Sequence, residues 1–185
     1  MLVQEFATWL EQSSLGVAIA ESDWLFPTIE TVHVIAIAFV VGSIIALDLR
    51  ILGLAWKKRP VTEVAADVLP LTWICFVIAV IAGTLMFVSA ARKYAYDLPF
   101  QLKMTFLVLA GVNMAIFHTF TYTTVEAWNH QTITPRGARI AAALSLLFWI
   151  SIVGCGRLVG FTTETAPTVD SQTSSSQIEH SPSRD

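Results

Sequence analysis

Several ionisable side chains lie inside long apolar stretches of this sequence, and they are the residues best able to do chemistry. In chain order they are Glu30, His33, Asp48, Lys103, His118 and Arg157. Ionisable groups are costly inside a membrane, so they usually mark a binding site or an ion pathway. Their types suit the binding of a cofactor, a metal ion or a charged ligand.

Glu30 and His33 form an E-x-x-H pair, whose three-residue spacing places both side chains on one face of a helix. Asp48 follows Glu30 after about five helical turns, so it returns to the same face near the opposite membrane surface. Asp48 and Arg50 are expected to form a solvated ion pair at that end of the helix. The first apolar stretch therefore has a polar stripe with an apolar middle.

An imidazole with a thioether is a known axial pair for haem. His33 could ligate haem b together with Met86 or Met104, and Lys103 and Arg157 could then neutralise the propionates. The same soft donor set would suit copper, with His33 as the metal ligand. A homodimer could supply a second His33 instead of the methionine.

His33 and His118 are not expected to share one iron. His33 lies about six residues to one side of its span's centre and His118 about seven residues to the other side of its own. At about 1.5 Å per residue, their depths differ by roughly 20 Å. We therefore expect His118 to be a separate group, near Asp48 and Arg50.

Each of these residues also has a purely structural interpretation. Glu30, His33, Lys103 and Arg157 could form a buried ion-pair network that fixes the helix register. Met86 and Met104 could be packing residues, and Asn113 could make a helix–helix hydrogen bond.

The elements that must position these residues are membrane-spanning helices. Hydrophobic residues make up 55% of the 185 residues and charged residues only 14%, against about a quarter in soluble domains. The apolar blocks predict four spans at about 26–52, 68–90, 99–122 and 139–161, each long enough to cross a bilayer. Spans of this length should be helices. Because the loops are short, we expect an all-α up-down bundle with sequential helices as antiparallel neighbours.

The two flanking segments differ from the 24–161 membrane domain. Residues 1–23 place Leu2, Phe6, Trp9 and Leu10 at helical spacing, which predicts an amphipathic helix on the membrane surface. Ser13 or Ser14 could cap a second short turn. Residues 162–185 are rich in Ser, Thr, Pro and acidic residues, which predicts a disordered tail.

Basic residues indicate the orientation of the chain. The first and third loops hold six of them, namely Arg50, Lys57, Lys58, Arg59, Arg136 and Arg139, whereas the second loop holds Arg92 and Lys93. The positive-inside rule then places loops one and three in the cytoplasm and both termini outside.

Other classes of function find little support. The net charge of −3 gives no basic surface for nucleic acid. No nucleophile elbow, phosphate loop or H-E-x-x-H motif occurs, so an independent enzyme is disfavoured. Cys75 and Cys155 both lie in apolar blocks and are expected to be packing residues.

A resemblance adds to this interpretation. The sequence reads W-L-F-P-T-I-E-T-V-H at 24–33 and D-L-R-I-L-G at 48–53, followed by Phe117-His118 and Gly156-Arg157. Over residues 5–161 it resembles a family of uncharacterised bacterial four-helix inner-membrane proteins. This resemblance implies a fold and a location in the bacterial inner membrane, but no chemistry. In design the chain is loosely similar to b-type cytochromes and copper-resistance membrane proteins.

The leading hypothesis from the sequence is an inner-membrane binding or electron-transfer protein. Its site would lie in the outer leaflet and consist of Glu30, His33, Lys103 and Arg157, with haem b as the first ligand to test and copper as the second. The alternatives are a small-molecule or metal permease, with His33 and His118 at the two ends of its path, and a structural accessory subunit. The lipid bilayer is the expected surrounding, and a second copy or a membrane complex is the expected partner.

Overall fold

A computed structural model describes residues 2–131 and 134–164 of the chain. Within that part the chain is helical and contains no strand. Two short helices, α1 (Leu2–Glu11) and α2 (Ser14–Ala20), precede the long helices α3 (Leu25–Ile51) and α4 (Val61–Ser89). The short helix α5 (Ala91–Tyr96) leads into α6 (Leu98–Ile116), and α7 (Val125–Trp128) and α8 (Arg136–Glu164) complete the fold.

Four stretches are long and apolar enough to cross a membrane: Leu25–Ile51, Val61–Ser89, Leu98–Trp128 and Arg136–Phe161. The predicted all-α fold with four membrane helices is therefore confirmed. The helices extend beyond the predicted spans, most clearly at the start of α4 and beyond residue 122. The predicted tail falls mainly on residues 165–185, which lie outside the described residues.

A wide helical turn connects α6 to the segment before α7. At Phe117–Thr121 the helix widens to π geometry, and the amide of Tyr122 donates to the carbonyl of Phe117, five residues back. A tight turn over Tyr122–Thr124 then leads into α7. The run F-H-T-F-T-Y-T-T consists largely of β-branched and aromatic residues, which favour a regular helix only weakly.

The four long helices pack as two pairs. The helix α3 lies along α4, α6 lies along α8, and α3 also packs on α8, whereas α4 and α6 scarcely touch. The expected contact between sequential helices thus holds for the first and last pairs and is wrong for α4 and α6 over most of their length. The two meet at one end, where Phe87 and Phe100 stack with ring centroids 5.6 Å apart.

The two ends of the bundle differ in the segments that cover them. The short-helix end carries α1, α2 and α5 and the start of α3, and the loop end carries residues 52–60 and 129–135. Buried small residues hold the helices together between the two ends, among them Ala36, Ala79 and Ala110. Small side chains allow the close helix contacts that stabilise bundles in lipid.

The N-terminal segment is helical and exposes large apolar side chains, which are Leu2, Val3, Phe6 and Trp9. Ser13 is the residue that caps α2, since its hydroxyl accepts the amide of Gly16 at 3.1 Å. Glu11 ties the segment to the bundle by accepting the amide of Arg92 at 2.8 Å and its Nε at 2.7 Å.

Candidate functional site

The site that brings polar and aromatic side chains together is a cleft between α4 and α6 in the loop-end half of the bundle. We call it the α4–α6 cleft; it encloses about 210 Å³ and its walls come from α3, α4, α8 and the stretch 98–128. Lining residues with large exposed fractions stand on its two edges, Trp73 on α4 at 51% and Met114 on α6 at 46%. The cleft therefore opens sideways, through the gap that α4 and α6 leave.

Asp48 is the carboxylate of this cleft. Its side chain is 6% exposed and lines the cavity. Ser145 on α8 lies within hydrogen-bonding reach of it, but Oδ2 is buried without a hydrogen-bond partner in the described structure. A buried acceptor left unpaired costs about 1–3 kcal/mol, and more when it is charged. Asp48 therefore favours the binding of a donor in the cavity.

Aromatic side chains form much of the remaining wall, together with aliphatic ones. They are Trp73, Phe76, Phe117, Tyr122 and Trp149. His118 also lines the cleft, and its ring lies 5.3 Å from that of Tyr122, centroid to centroid. His118 lies in the wide turn and Tyr122 in the tight turn that follow α6, and π turns of this kind are frequent at functional sites.

Arg50 closes the loop end of the bundle. Its side chain is fully buried, its Nε donates to the carbonyl of Arg59 at 2.6 Å, and its Nη2 donates to the carbonyl of Asn129 at 3.3 Å. The Asn129 side chain in turn accepts the amide of Thr62 at 3.0 Å and donates to the Thr62 hydroxyl at 2.8 Å. One guanidinium therefore joins both loops at this end.

The expected solvated ion pair between Asp48 and Arg50 is wrong. Both side chains are buried, and no ion pair joins them. Arg50 Nη1 has no hydrogen-bond partner in the described structure. Exposed side chains at this end do form ion pairs. Arg59 binds Glu63 and Asp67, each at 2.6 Å. These hydrogen bonds, with Asp67 first, raise the pKa of Arg59.

His33 and Lys103 come together in the short-helix half of the bundle. His33 lies between α3 and α4, with Nδ1 2.8 Å from the carbonyl of Ala79 and its ring packed on Gly83. Lys103 acts on His33 electrostatically and reaches across to α8, where its Nζ lies 3.8 Å from where a Cβ on Gly156 would stand. Two glycines thus make room for an imidazole and an ammonium group.

The other two predicted members of this cluster are exposed and contact different groups. Glu30 is exposed, and its carboxylate acts on the phenol of Tyr94. Arg157 is exposed, and its guanidinium carbon lies 5.4 Å from the centroid of the Phe161 ring. No ion pair joins Glu30 to Lys103 or Arg157, so the predicted ion-pair network is not formed between these residues.

The two candidate methionine ligands differ in their surroundings. Met104 is 43% exposed on the outer face of α6, whereas Met86 on α4 is half-buried. The hydrogen bond of His33 goes to a backbone carbonyl. Among residues 2–131 and 134–164, no group of three or more His, Cys, Asp or Glu side chains could hold a metal ion.

Aromatic rings seal the short-helix end. Tyr94 is 8% exposed and packs between Phe87 and Phe100, with ring centroids 6.5 Å and 5.5 Å away. This burial, helped by the charges of Glu30 and Asp97, raises the pKa of Tyr94 above its usual value of 10.0. The neutral phenol is therefore the form that the fold favours.

Two polar residues in this half of the bundle had little or no signal in the sequence. Ser145 is the one polar residue in the apolar run 140–150, and that isolation was the available sign of a partner. Asn129 carried no sign, because loop asparagines are common. The expected helix–helix hydrogen bond of Asn113 is confirmed, since its Nδ2 donates to the carbonyl of Ala141 at 2.9 Å.

Comparison with known proteins places the chain in a family. The model of the family of unknown function DUF6644 matches residues 6–162, which includes all four membrane helices and the cleft. The chain belongs to the DUF6644 family. This membership agrees with the resemblance to an uncharacterised family, while the W-L-F-P motif and the likeness to cytochromes stay predictions. No curated protein and no solved structure matches this DUF6644 chain.

Proposed function

We propose that this chain is a membrane protein that binds a small, mainly apolar molecule in the α4–α6 cleft. The observation that carries the proposal is a cavity of about 210 Å³ with apolar walls and one buried carboxylate oxygen that lacks a partner. Small-molecule sites combine these two features, an apolar surround and a few placed polar groups.

The volume of the cleft limits the size of the ligand. An apolar cavity of about 150 Å³ can hold benzene, so a cavity of about 210 Å³ accepts a single ring with a short substituent. A cleft that opens between two membrane helices is reached from the bilayer. Access from the bilayer would also suit a permease, the alternative in which His33 and His118 lie at the two ends of the ligand's path.

Filling the cleft tests the proposal. Gly111 lines it, and a Cβ there would meet nothing within 4 Å, so Gly111→Leu projects an apolar side chain without a clash. Gly154→Leu is the matched control, since Gly154 also has open space but does not line the cleft. Binding of propylbenzene and phenethylamine to protein in lipid nanodiscs is measured by quenching of tryptophan fluorescence, with empty nanodiscs subtracted.

We expect Gly111→Leu to weaken binding at least about tenfold, because burial of a ring is worth about 1.5–3 kcal/mol. The Gly154→Leu control should bind as the unchanged protein does. If neither compound binds the unchanged protein, or if Gly111→Leu binds as well as the control, the proposed function is wrong.

A second candidate is haem b or copper at His33. A ring whose Nδ1–H donates to a backbone carbonyl, as the 2.8 Å contact with Ala79 allows, presents Nε2 as the free ligand atom. Lys103 could then pair with a propionate. A visible absorption spectrum and a metal analysis of protein purified from haem-supplied cells decide this candidate, because the absence of a Soret band, iron and copper would exclude it.

We also propose a bacterial inner-membrane location with both termini outside. The excess of basic residues in loops one and three supports this orientation. Alkaline phosphatase fused after residue 164 should be active if the orientation is correct, and inactive if the end of α8 lies in the cytoplasm.

A further inference from the structure

We propose that the ligand of the α4–α6 cleft is an organic amine, a single-ring molecule whose ammonium group pairs with Asp48. This inference rests on the proposed function and adds the chemical class of the ligand. Asp48 is 6% exposed, lines the cavity and keeps Oδ2 free of any hydrogen bond in the described structure.

The charge balance of the cleft favours a cation. Among the described residues that line it, the ionisable side chains are Asp48, His118 and Tyr122, and none is Lys or Arg. Arg50 is near in sequence but directs its Nε and Nη2 to the carbonyls of Arg59 and Asn129. Among the described residues Asp48 thus has no basic partner, and its buried charge can be neutralised either by a proton or by a bound cation.

The walls favour an organic cation over a metal ion. Calcium takes six to eight oxygen ligands and magnesium demands an octahedral set, and one carboxylate among apolar side chains does not provide them. Trp73, Phe76 and Trp149 instead present aromatic rings to the cavity. Aromatic faces attract ammonium groups and also pack against an apolar ring.

The opening of the cleft fits the same class of ligand. An amine with an apolar ring concentrates at the membrane interface, its ring in the acyl chains and its charge near the headgroups. The cleft lies in the loop-end half of the bundle, and Asp48 is three residues from the end of α3. The carboxylate therefore lies at the depth where such an amine would be held.

The experiment compares phenethylamine, which is protonated at neutral pH, with its neutral isostere propylbenzene. Both are titrated into full-length protein in nanodiscs, as the unchanged chain, as Asp48→Asn and as Glu30→Gln. Asp48→Asn keeps the shape of the side chain and removes its charge. Glu30→Gln makes the same change at an exposed carboxylate in the other half of α3. Circular dichroism confirms that each variant is folded.

With both affinities expressed per mole of compound dissolved in the membrane, we expect the unchanged protein to bind phenethylamine about ten- to a hundredfold more tightly than propylbenzene, since a hydrogen bond to a charged group contributes about 1.5–3 kcal/mol. Asp48→Asn should abolish this preference while propylbenzene still binds, and Glu30→Gln should leave it unchanged.

Three results would overturn the inference. Equal binding of both compounds to the unchanged protein would show a cleft for neutral molecules, so the proposed function would stand without the amine. A preference for the amine that survives in Asp48→Asn, or is lost in Glu30→Gln, would place the cation elsewhere. Failure of both compounds to bind the unchanged protein would refute the inference and the proposed function together.

Discussion

Asp48 and Arg50 are two residues apart on α3, so their side chains leave the helix about 200° apart and meet different surroundings. Asp48 turns into the α4–α6 cleft, whereas Arg50 turns to the carbonyls of the two loops at the same end. Neither has an ion-pair partner within the described part of the chain, and the two side chains have different surroundings. Asp48 belongs to the cavity, and Arg50 holds the loops that close it.

Arg50→Met should destabilise the fold. Methionine fills much of the same space, but the part-buried carbonyl of Arg59 loses its charged donor, and a hydrogen bond to a charged group contributes about 1.5–3 kcal/mol. Thermal unfolding in detergent measures the loss. Arg136→Met is the control, since Arg136 is exposed at the same end and should lose little. Equal midpoints for the two variants would mean that Arg50 does not hold the loops.

The raised pKa of Tyr94 predicts that the protein loses stability at alkaline pH. Because burial, with the charges of Glu30 and Asp97, raises its pKa above 10.0, the folded state holds the phenolic proton more tightly than the unfolded chain does. This contribution is complete below pH 10.0 and disappears as the pH rises through the folded-state pKa. The free energy of unfolding should therefore fall from about pH 10 upward.

The variant Tyr94→Phe tests the assignment. It lacks the titrating proton, so its unfolding free energy should fall less steeply over the alkaline range than that of the unchanged protein. The absorbance of tyrosinate is titrated in both proteins, and the difference between the two curves reports Tyr94. This difference should have its midpoint above pH 10.0. A midpoint at or below pH 10.0 would contradict the raised pKa.

At the scale of the element, Gly83 lets α3 and α4 approach closely at His33. A Cβ at this position would lie 3.0 Å from His33 Cε1 and 3.3 Å from Nδ1, so the ring, held by its bond to the Ala79 carbonyl, would have to shift by a few tenths of an ångström. We expect Gly83→Val to cost about 1–3 kcal/mol through overpacking.

A double-mutant cycle tests this contact. In a His33→Ala background the ring is gone, so Gly83→Val should cost much less, and the difference is the coupling energy between the two residues. Gly154→Val supplies the matched control, because a Cβ there meets nothing within 4 Å. Equal costs of Gly83→Val with and without the His33 ring would refute the contact.

Between α6 and α7, the sequence predicts a helix but not the turn that widens it. Helix type and approximate position follow from the apolar run that begins at Leu98. The wide turn at Phe117–Thr121 does not follow, because weak helix propensity is common in membrane helices and seldom widens them. The placement of His118 beside Tyr122 depends on this turn, so their contact could not be predicted.

For the whole molecule, the number of membrane helices was predictable because each span must bury its backbone polar groups along its full length. Their arrangement was not, since α3 and α4 are apolar around most of their circumference and give no preferred face. The helices α4 and α6 meet at Phe87 and Phe100 and scarcely touch elsewhere, and no pattern in the sequence indicated this. The sequence therefore indicated polar groups at two depths, but it could not locate the cavity beside Asp48.

Because the α4–α6 cleft opens laterally, the dissociation constant of a ligand must refer to its concentration in the membrane. A ligand that enters from the bilayer equilibrates with its concentration in the lipid, which exceeds its concentration in water by the partition coefficient. A series of ring compounds compared by aqueous dissociation constants would be ranked largely by lipophilicity. Recognition by Asp48 and the aromatic wall emerges only when occupancy is expressed per mole of compound dissolved in the membrane.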